Sequence, residues 1–172
     1  TDITFRANSA LIDGGGLINN GSNATLTNIL FESNAAVNAG GLFNYLSTPL
    51  LNNLTFLTNT ASNLGGGMVN RNSNPTLTDA TFQANTASDG GGTYNYENSR
   101  PILSNLLFQT NSASLSGGGM LNDASNANLT NITFRANSAG YFGGGMFNSS
   151  SDPTLTNVIF EANMAEREGG GV

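Results

Sequence analysis

The stretch Thr130–Leu155, TNITFRANSAGYFGGGMFNSSSDPTL, decides the fold. Working outward from its Phe134, a phenylalanine recurs at Phe5, Phe31, Phe56, Phe82, Phe108 and Phe160, at intervals of 26 residues with a single 25 between Phe31 and Phe56. Three residues after each comes an asparagine: Asn8, Asn34, Asn59, Asn85, Asn111, Asn137 and Asn163. Two further on comes an alanine: Ala10, Ala36, Ala61, Ala87, Ala113, Ala139 and Ala165. A glycine run follows, as in Gly65-Gly66-Gly67 or Gly117-Gly118-Gly119. A fixed period of this size marks a solenoid, in which each repeat buries its apolar face against its neighbours.

Aligned on the phenylalanine, the chain divides into coils 1–26, 27–51, 52–77, 78–103, 104–129 and 130–155, with a partial coil 156–172, all within a single domain 1–172. Each complete coil ends in leucine: Leu26, Leu51, Leu77, Leu103, Leu129 and Leu155. In Ile132-Thr133-Phe134-Arg135-Ala136 apolar residues alternate with others, the period of a strand with one face buried. No segment carries a helical i, i+3, i+4 stripe, and glycine in every coil with β-branched residues between turns disfavours helix. The spacing predicts three short strands per coil: one through the phenylalanine, one after the glycines (Met146-Phe147), and one through the Thr154-Leu155-Thr156 stretch. Asn, Gly, Ser, Asp and Pro mark the corners.

A strand in such a coil turns away from its own coil and must pair, parallel and in register, with its equivalent in the next coil about 4.8 Å away. About six and a half coils would then form a rod roughly 30 Å long. The expected fold class is therefore all-β, a parallel β-helix. Coils of 25–26 residues and the usual crossover of parallel strands point to the right-handed kind.

Stacking gives each column a reason. Phe over Phe makes an aromatic column inside the rod. The alanine column marks a place where only a methyl fits. The asparagines after the phenylalanines should form an amide ladder that satisfies buried corner backbone. Two more polar columns fit that logic: Asp2, Asn28, Asn53, Asp79, Asn105, Asn131 and Asn157, and Asn19, Asn44, Asn70, Asn95, Asn122 and Asn148. Outside, Arg6 precedes Glu32 and Arg135 precedes Glu161 by one coil, setting opposite charges side by side.

Composition narrows the function. The 172 residues include 28 Asn and 22 Gly but no Cys, His, Trp or Lys, and only 9% are charged, against the roughly 25% usual in soluble domains. Regularly spaced Phe, Leu and Met exclude disorder as the meaning of so polar a chain. A net charge of −6 argues against a nucleic-acid partner. No apolar run approaches the roughly 20 residues of a membrane span. Without cysteine there is neither a disulfide framework nor a thiolate metal site. Lys-free, Asn/Thr-rich repeats suit an extracellular, protease-resistant structure.

The joined signature Phe-x-x-Asn-x-Ala, then Gly-Gly-Gly-apolar, resembles the repeats of chlamydial polymorphic membrane proteins and of other bacterial β-helix surface proteins. In the sixth coil Phe134, Asn137, Ala139, Gly143, Gly144, Gly145, Met146 and Asn148 carry it. Coil 2 departs with Ala39-Gly40-Gly41, and coil 4 places Thr93 where others have Leu or Met. The resemblance implies a secreted or surface-displayed β-helix, used for adhesion or as a stalk. It implies no particular ligand, because the fold hosts lyases, adhesins and fibres alike.

Chemistry is sparse. A polysaccharide-cleaving site needs clustered carboxylates, often with calcium and a basic residue. The eleven acids mostly stand alone in their columns. Glu166-Arg167-Glu168 reads as a solvated turn, and no Asp follows a glycine run at the spacing of calcium-binding nonapeptides. The expectation is a non-enzyme without cofactor or metal. A Thr-x-Thr face at Thr25/Thr27, Thr76/Thr78 and Thr154/Thr156 is broken at Leu50/Asn52, Ile102/Ser104 and Asn128/Thr130, too irregular for an ice-binding grid. Six asparagines lie in Asn-x-Ser/Thr sequons. Asn53 and Asn131 belong to a ladder column and are poor acceptors if it points inward. Asn20, Asn23, Asn128 and Asn148 are the candidate glycosylation sites. Neither end shows a capping coil, and open β edges are templates for further pairing. The expected role is an extracellular or cell-surface stalk or filament unit, partnered by further repeats or by itself end to end. An adhesin whose outer Tyr141 and Phe142 meet surface glycans is the alternative.

Overall fold

The computed structural model describes residues 2–172, so the first position of coil 1 lies outside the described residues. Among them no helix forms, and the chain winds as a parallel β-solenoid of about six turns built from three sheets. The long sheet has seven strands, Ile3–Arg6, Thr25–Glu32, Leu50–Leu57, Thr76–Gln83, Ile102–Gln109, Asn128–Arg135 and Thr154–Glu161. An alanine sheet of six contains Ala35–Asn38, Thr60–Leu64, Thr86–Ala87, Ser112–Ala113, Ser138–Ala139 and Met164–Ala165. A methionine sheet of six contains Leu17–Asn20, Leu42–Tyr45, Met68–Arg71, Thr93–Tyr96, Met120–Asp123 and Met146–Ser149. Every pairing is parallel, and like pairs with like: Phe82 with Phe56 and Phe108, Ala87 with Ala113, Asn95 with Asn70 and Asn122.

The strand count per coil is as expected, but two of the three boundaries differ. The Thr-Leu-Thr segment and the phenylalanine segment are one eight-residue strand, and the alanine column carries the strand that sequence reading left out. The reason lies in the column Asn28, Asn53, Asp79, Asn105, Asn131 and Asn157. Each has φ between 52° and 57°, the left-handed region. Asn and Asp tolerate that conformation better than other side chains. A single such residue bends the strand without ending its ladder: Ser104 and Leu106 both keep in-register partners on either side of Asn105. This column was expected to be a ladder serving buried corner backbone. It is instead an outer column, with Asn53, Asp79, Asn105, Asn131 and Asn157 all exposed.

The main core is a column of rings and aliphatic side chains, and Ala39, Phe43 and Val69 form a second, smaller buried cluster. Phe31, Phe56, Phe82, Phe108 and Phe134 are fully buried. From Phe5 to Phe160, successive rings lie 4.5–5.0 Å apart with planes within 13° of parallel. Leu51, Leu77, Leu103 and Leu129 pack against them from one side, and Leu42, Met68, Met120 and Met146 from another. The glycine run has a separate reason at each position. The first, such as Gly65 at φ +60°, turns the corner in the left-handed region. A Cβ on the second, such as Gly91, would lie 2.5 Å from the carbonyl oxygens of both Gly118 and Ser112. A Cβ on the third, such as Gly92, would strike the ring of Phe108 in the next coil at 2.8 Å. The Ala39 departure occupies the first position: it takes φ 54° and is fully buried.

Coil 4 keeps its register by two compensating changes. Its glycine run begins one residue sooner after Phe82 than coil 3's does after Phe56. The lost residue returns at the next corner, where Glu97 and Asn98 both adopt positive φ and other coils use one such residue, Asn72 or Ala124.

Candidate functional site

The first candidate residues are the inner ladders, which the three-sheet winding brings to the corner after the phenylalanine strand and to the strands of the methionine sheet. In the column after the phenylalanines, each asparagine donates its Nδ2 and its backbone N–H to the Oδ1 of the next asparagine at 2.9–3.0 Å. From Asn34 to Asn163, Nδ2 also donates to the phenylalanine carbonyl of the coil before, at 2.9 Å. Asn8, Asn34, Asn59, Asn85, Asn111, Asn137 and Asn163 thus form one continuous chain. In the methionine sheet, Nδ2 donates to the next Oδ1 from Asn19 through Asn44, Asn70, Asn95 and Asn122 to Asn148, at 2.8–2.9 Å.

Sequence reading missed a third inner ladder. The backbone N–H groups of Ser22, Ser47, Ser73, Ser99 and Ser125 donate to the hydroxyl of the serine one coil on, at 2.9–3.1 Å. Ser47, Ser73, Ser99 and Ser125 are buried. The signal was legible, because a serine recurs in each coil three or four residues after the second asparagine column. Serine is so common at corners that its period was not separated from ordinary turn composition.

The outer asparagine column makes a ladder of opposite sense. Nδ2 of Asn53 donates back to Asn28, that of Asn105 to Asp79, that of Asn131 to Asn105 and that of Asn157 to Asn131. Asn53 and Asn131 point to solvent, not inward. Among the other sequons Asn20, Asn23 and Asn128 are exposed, and Oδ1 of Asn23 accepts from the backbone and hydroxyl of Thr48. Asn148 is half-buried, as the acceptor that ends the methionine-sheet ladder.

Charged pairs bridge adjacent coils at Arg6–Glu32 and Arg135–Glu161, and at a third pair, Arg71–Glu97, that sequence reading did not single out. Arg71 also lies between two rings, 5.2 Å from the centre of Tyr45 and 5.6 Å from that of Tyr96. Nearby, burial and then the charge of Asp123 push the Tyr94 phenol above its ordinary range, so it stays protonated and can donate to that carboxylate. Burial likewise raises the Asp89 carboxyl, opposed by the N–H of Ser116 that it accepts.

Two outer-face aromatics of coil 6 separate. Tyr141 is 37% exposed. Phe142 is half-buried and stacks on Phe147 at 5.6 Å, so it belongs to the wall and not to a free face. Tyr141 forms one side of a groove of about 490 Å³ over the alanine sheet, lined also by Ser112, Ser114, Ser138, Glu166 and Arg167. Among the described residues no group of three or more acidic, His or Cys side chains could hold a metal ion, and no helix is long and apolar enough to cross a membrane.

The fold and its inner ladders define the class: a parallel β-solenoid with asparagine ladders. Comparison with protein-family models, with curated proteins and with solved structures finds no match.

Proposed function

We propose that the chain is an extracellular structural element, a stalk or filament segment whose work is mechanical. The observation that carries this reading is the direction of the inner ladders. In each, the donors of one coil meet the acceptors of the next, over every step from Asn8 to Asn163 and from Asn19 to Asn148. A further coil of this sequence adds in register at either face of the stack, whether the same chain or a second copy supplies it. Buried hydrogen bonds and stacked rings leave little local unfolding for a protease to exploit. The right-handed sense expected from coil length and the likeness to bacterial surface repeats belong to the same reading.

Electron microscopy of the protein together with timed digestion by a nonspecific protease tests it. Rods of uniform width and survival of the full-length band for hours are expected. Rapid digestion at many corners would show a chain too mobile to bear load and would overturn the reading.

A further inference from the structure

We propose that the groove over strands Ser112–Ala113 and Ser138–Ala139 binds a short acidic oligosaccharide, with a sugar carboxylate on Arg167. This goes beyond the mechanical role and does not depend on it.

Gly140 lines the groove, at the position after the alanine column where other coils carry Leu11, Val37, Ser62, Ser88, Ser114 and Glu166. Glycine is demanded there because the backbone of the coil before comes close: a Cβ would strike the carbonyl oxygen of Ser114. The groove's volume of about 490 Å³ lies within the usual range of ligand clefts.

The lining selects the ligand class. Ser112 and Ser138 are register partners, so their hydroxyls repeat at about the strand spacing of 4.8 Å, near the length of one pyranose ring. Each hydroxyl both donates and accepts, as sugar hydroxyls do. Tyr141 adds an exposed amphipathic ring. The guanidinium of Arg167 lies 4.4 Å from the centre of the Tyr141 ring, which orders it at the groove wall, where its N–H groups can meet a ligand anion. Glu166 supplies an acceptor for sugar hydroxyls. A peptide is the poorer occupant, because strands Ser112–Ala113 and Ser138–Ala139 under the groove are each paired on both sides, and the edge strand of the sheet, Met164–Ala165, does not line it.

The test is NMR titration of the protein with a galacturonic acid trisaccharide, with the neutral galactose trisaccharide and an acidic tripeptide as comparators. The proposal expects saturable shifts confined to Ser112, Ser138, Gly140, Tyr141 and Arg167, and at least tenfold weaker binding of the neutral sugar and of the peptide. Arg167→Ala should bring the acidic sugar down to the neutral one. Ser138→Trp, which fills the groove from outside, should abolish both, with the other amide shifts retained as proof of folding. No saturable shift in the parent protein, shifts elsewhere, equal binding of the peptide, or undiminished binding by Arg167→Ala would each overturn it.

Discussion

Oδ1 of Asn85 accepts two hydrogen bonds from Asn59, one from its backbone N–H at 2.9 Å and one from its Nδ2 at 3.0 Å. Asn85 itself donates to Asn111 and to the carbonyl of Phe56. One buried side chain therefore completes the hydrogen bonding of three coils. Asn85→Ala strands the two donors of Asn59 and the Phe56 carbonyl, each buried polar group costing about 1–3 kcal/mol. The expected loss is about 4 kcal/mol in urea unfolding. Asn157→Ala in the exposed column should cost no more than about 1 kcal/mol, mostly the left-handed backbone that alanine tolerates less well. Equal losses at the two sites would show that the inner ladder carries no special weight.

Thr93 occupies the inner column held elsewhere by Leu42, Met68, Met120 and Met146, and its buried hydroxyl has no hydrogen-bond partner. Thr93→Val keeps the shape and removes that polar group. A gain of about 1 kcal/mol is expected. The exposed Thr130→Val should stay within about 0.5 kcal/mol of the parent.

The glycine run predicts a contrast between two substitutions to alanine. Gly91→Ala drives a Cβ into two carbonyl oxygens and must separate adjacent coils, at a cost of about 3 kcal/mol or more. Gly21→Ala meets no atom within 4 Å and changes only the backbone preference at φ +60°, costing about 1 kcal/mol. Thermal melting of both variants would reveal the ranking.

Burial raises the Asp89 carboxyl above its ordinary range. The folded chain then holds that proton more tightly than the unfolded chain. The associated stability is present at low pH and is lost as pH rises through the raised value. Asp89→Asn keeps an oxygen for the Ser116 N–H and carries no charge. Its melting temperature should exceed the parent's at pH 7, with the difference vanishing at pH 3. A constant difference at both values would exclude the ionisation as its source.

The fold was legible because one physical event, stacking, repeats at every position of a coil. Phe82 and Asn85 disclose their roles only through their copies at Phe56, Phe108, Asn59 and Asn111, and a single coil would have been ambiguous. The long strand was misread because Asp79 and Asn105 look like corner residues, and left-handed φ does bend the chain there. Pairing with neighbouring coils then carries the strand through. The groove was invisible in sequence, although Tyr141 drew notice as an aromatic at a turn. Its lining brings together residues of three coils, and its charge depends on Arg167 folding back over the Tyr141 ring from the next coil.

The central claim, that equivalent residues lie directly over one another in consecutive coils, is open to direct chemical measurement because the chain has no cysteine. Thr86 and Ser112 are exposed register partners in the alanine sheet, at a spacing compatible with a disulfide. The double variant Thr86→Cys/Ser112→Cys should close an intramolecular disulfide under mild oxidation, seen as loss of both free thiols in the monomer. Thr86→Cys/Ser138→Cys, two coils apart, should keep its thiols. Failure of the first pair to close, or equal closure of the second, would contradict in-register stacking.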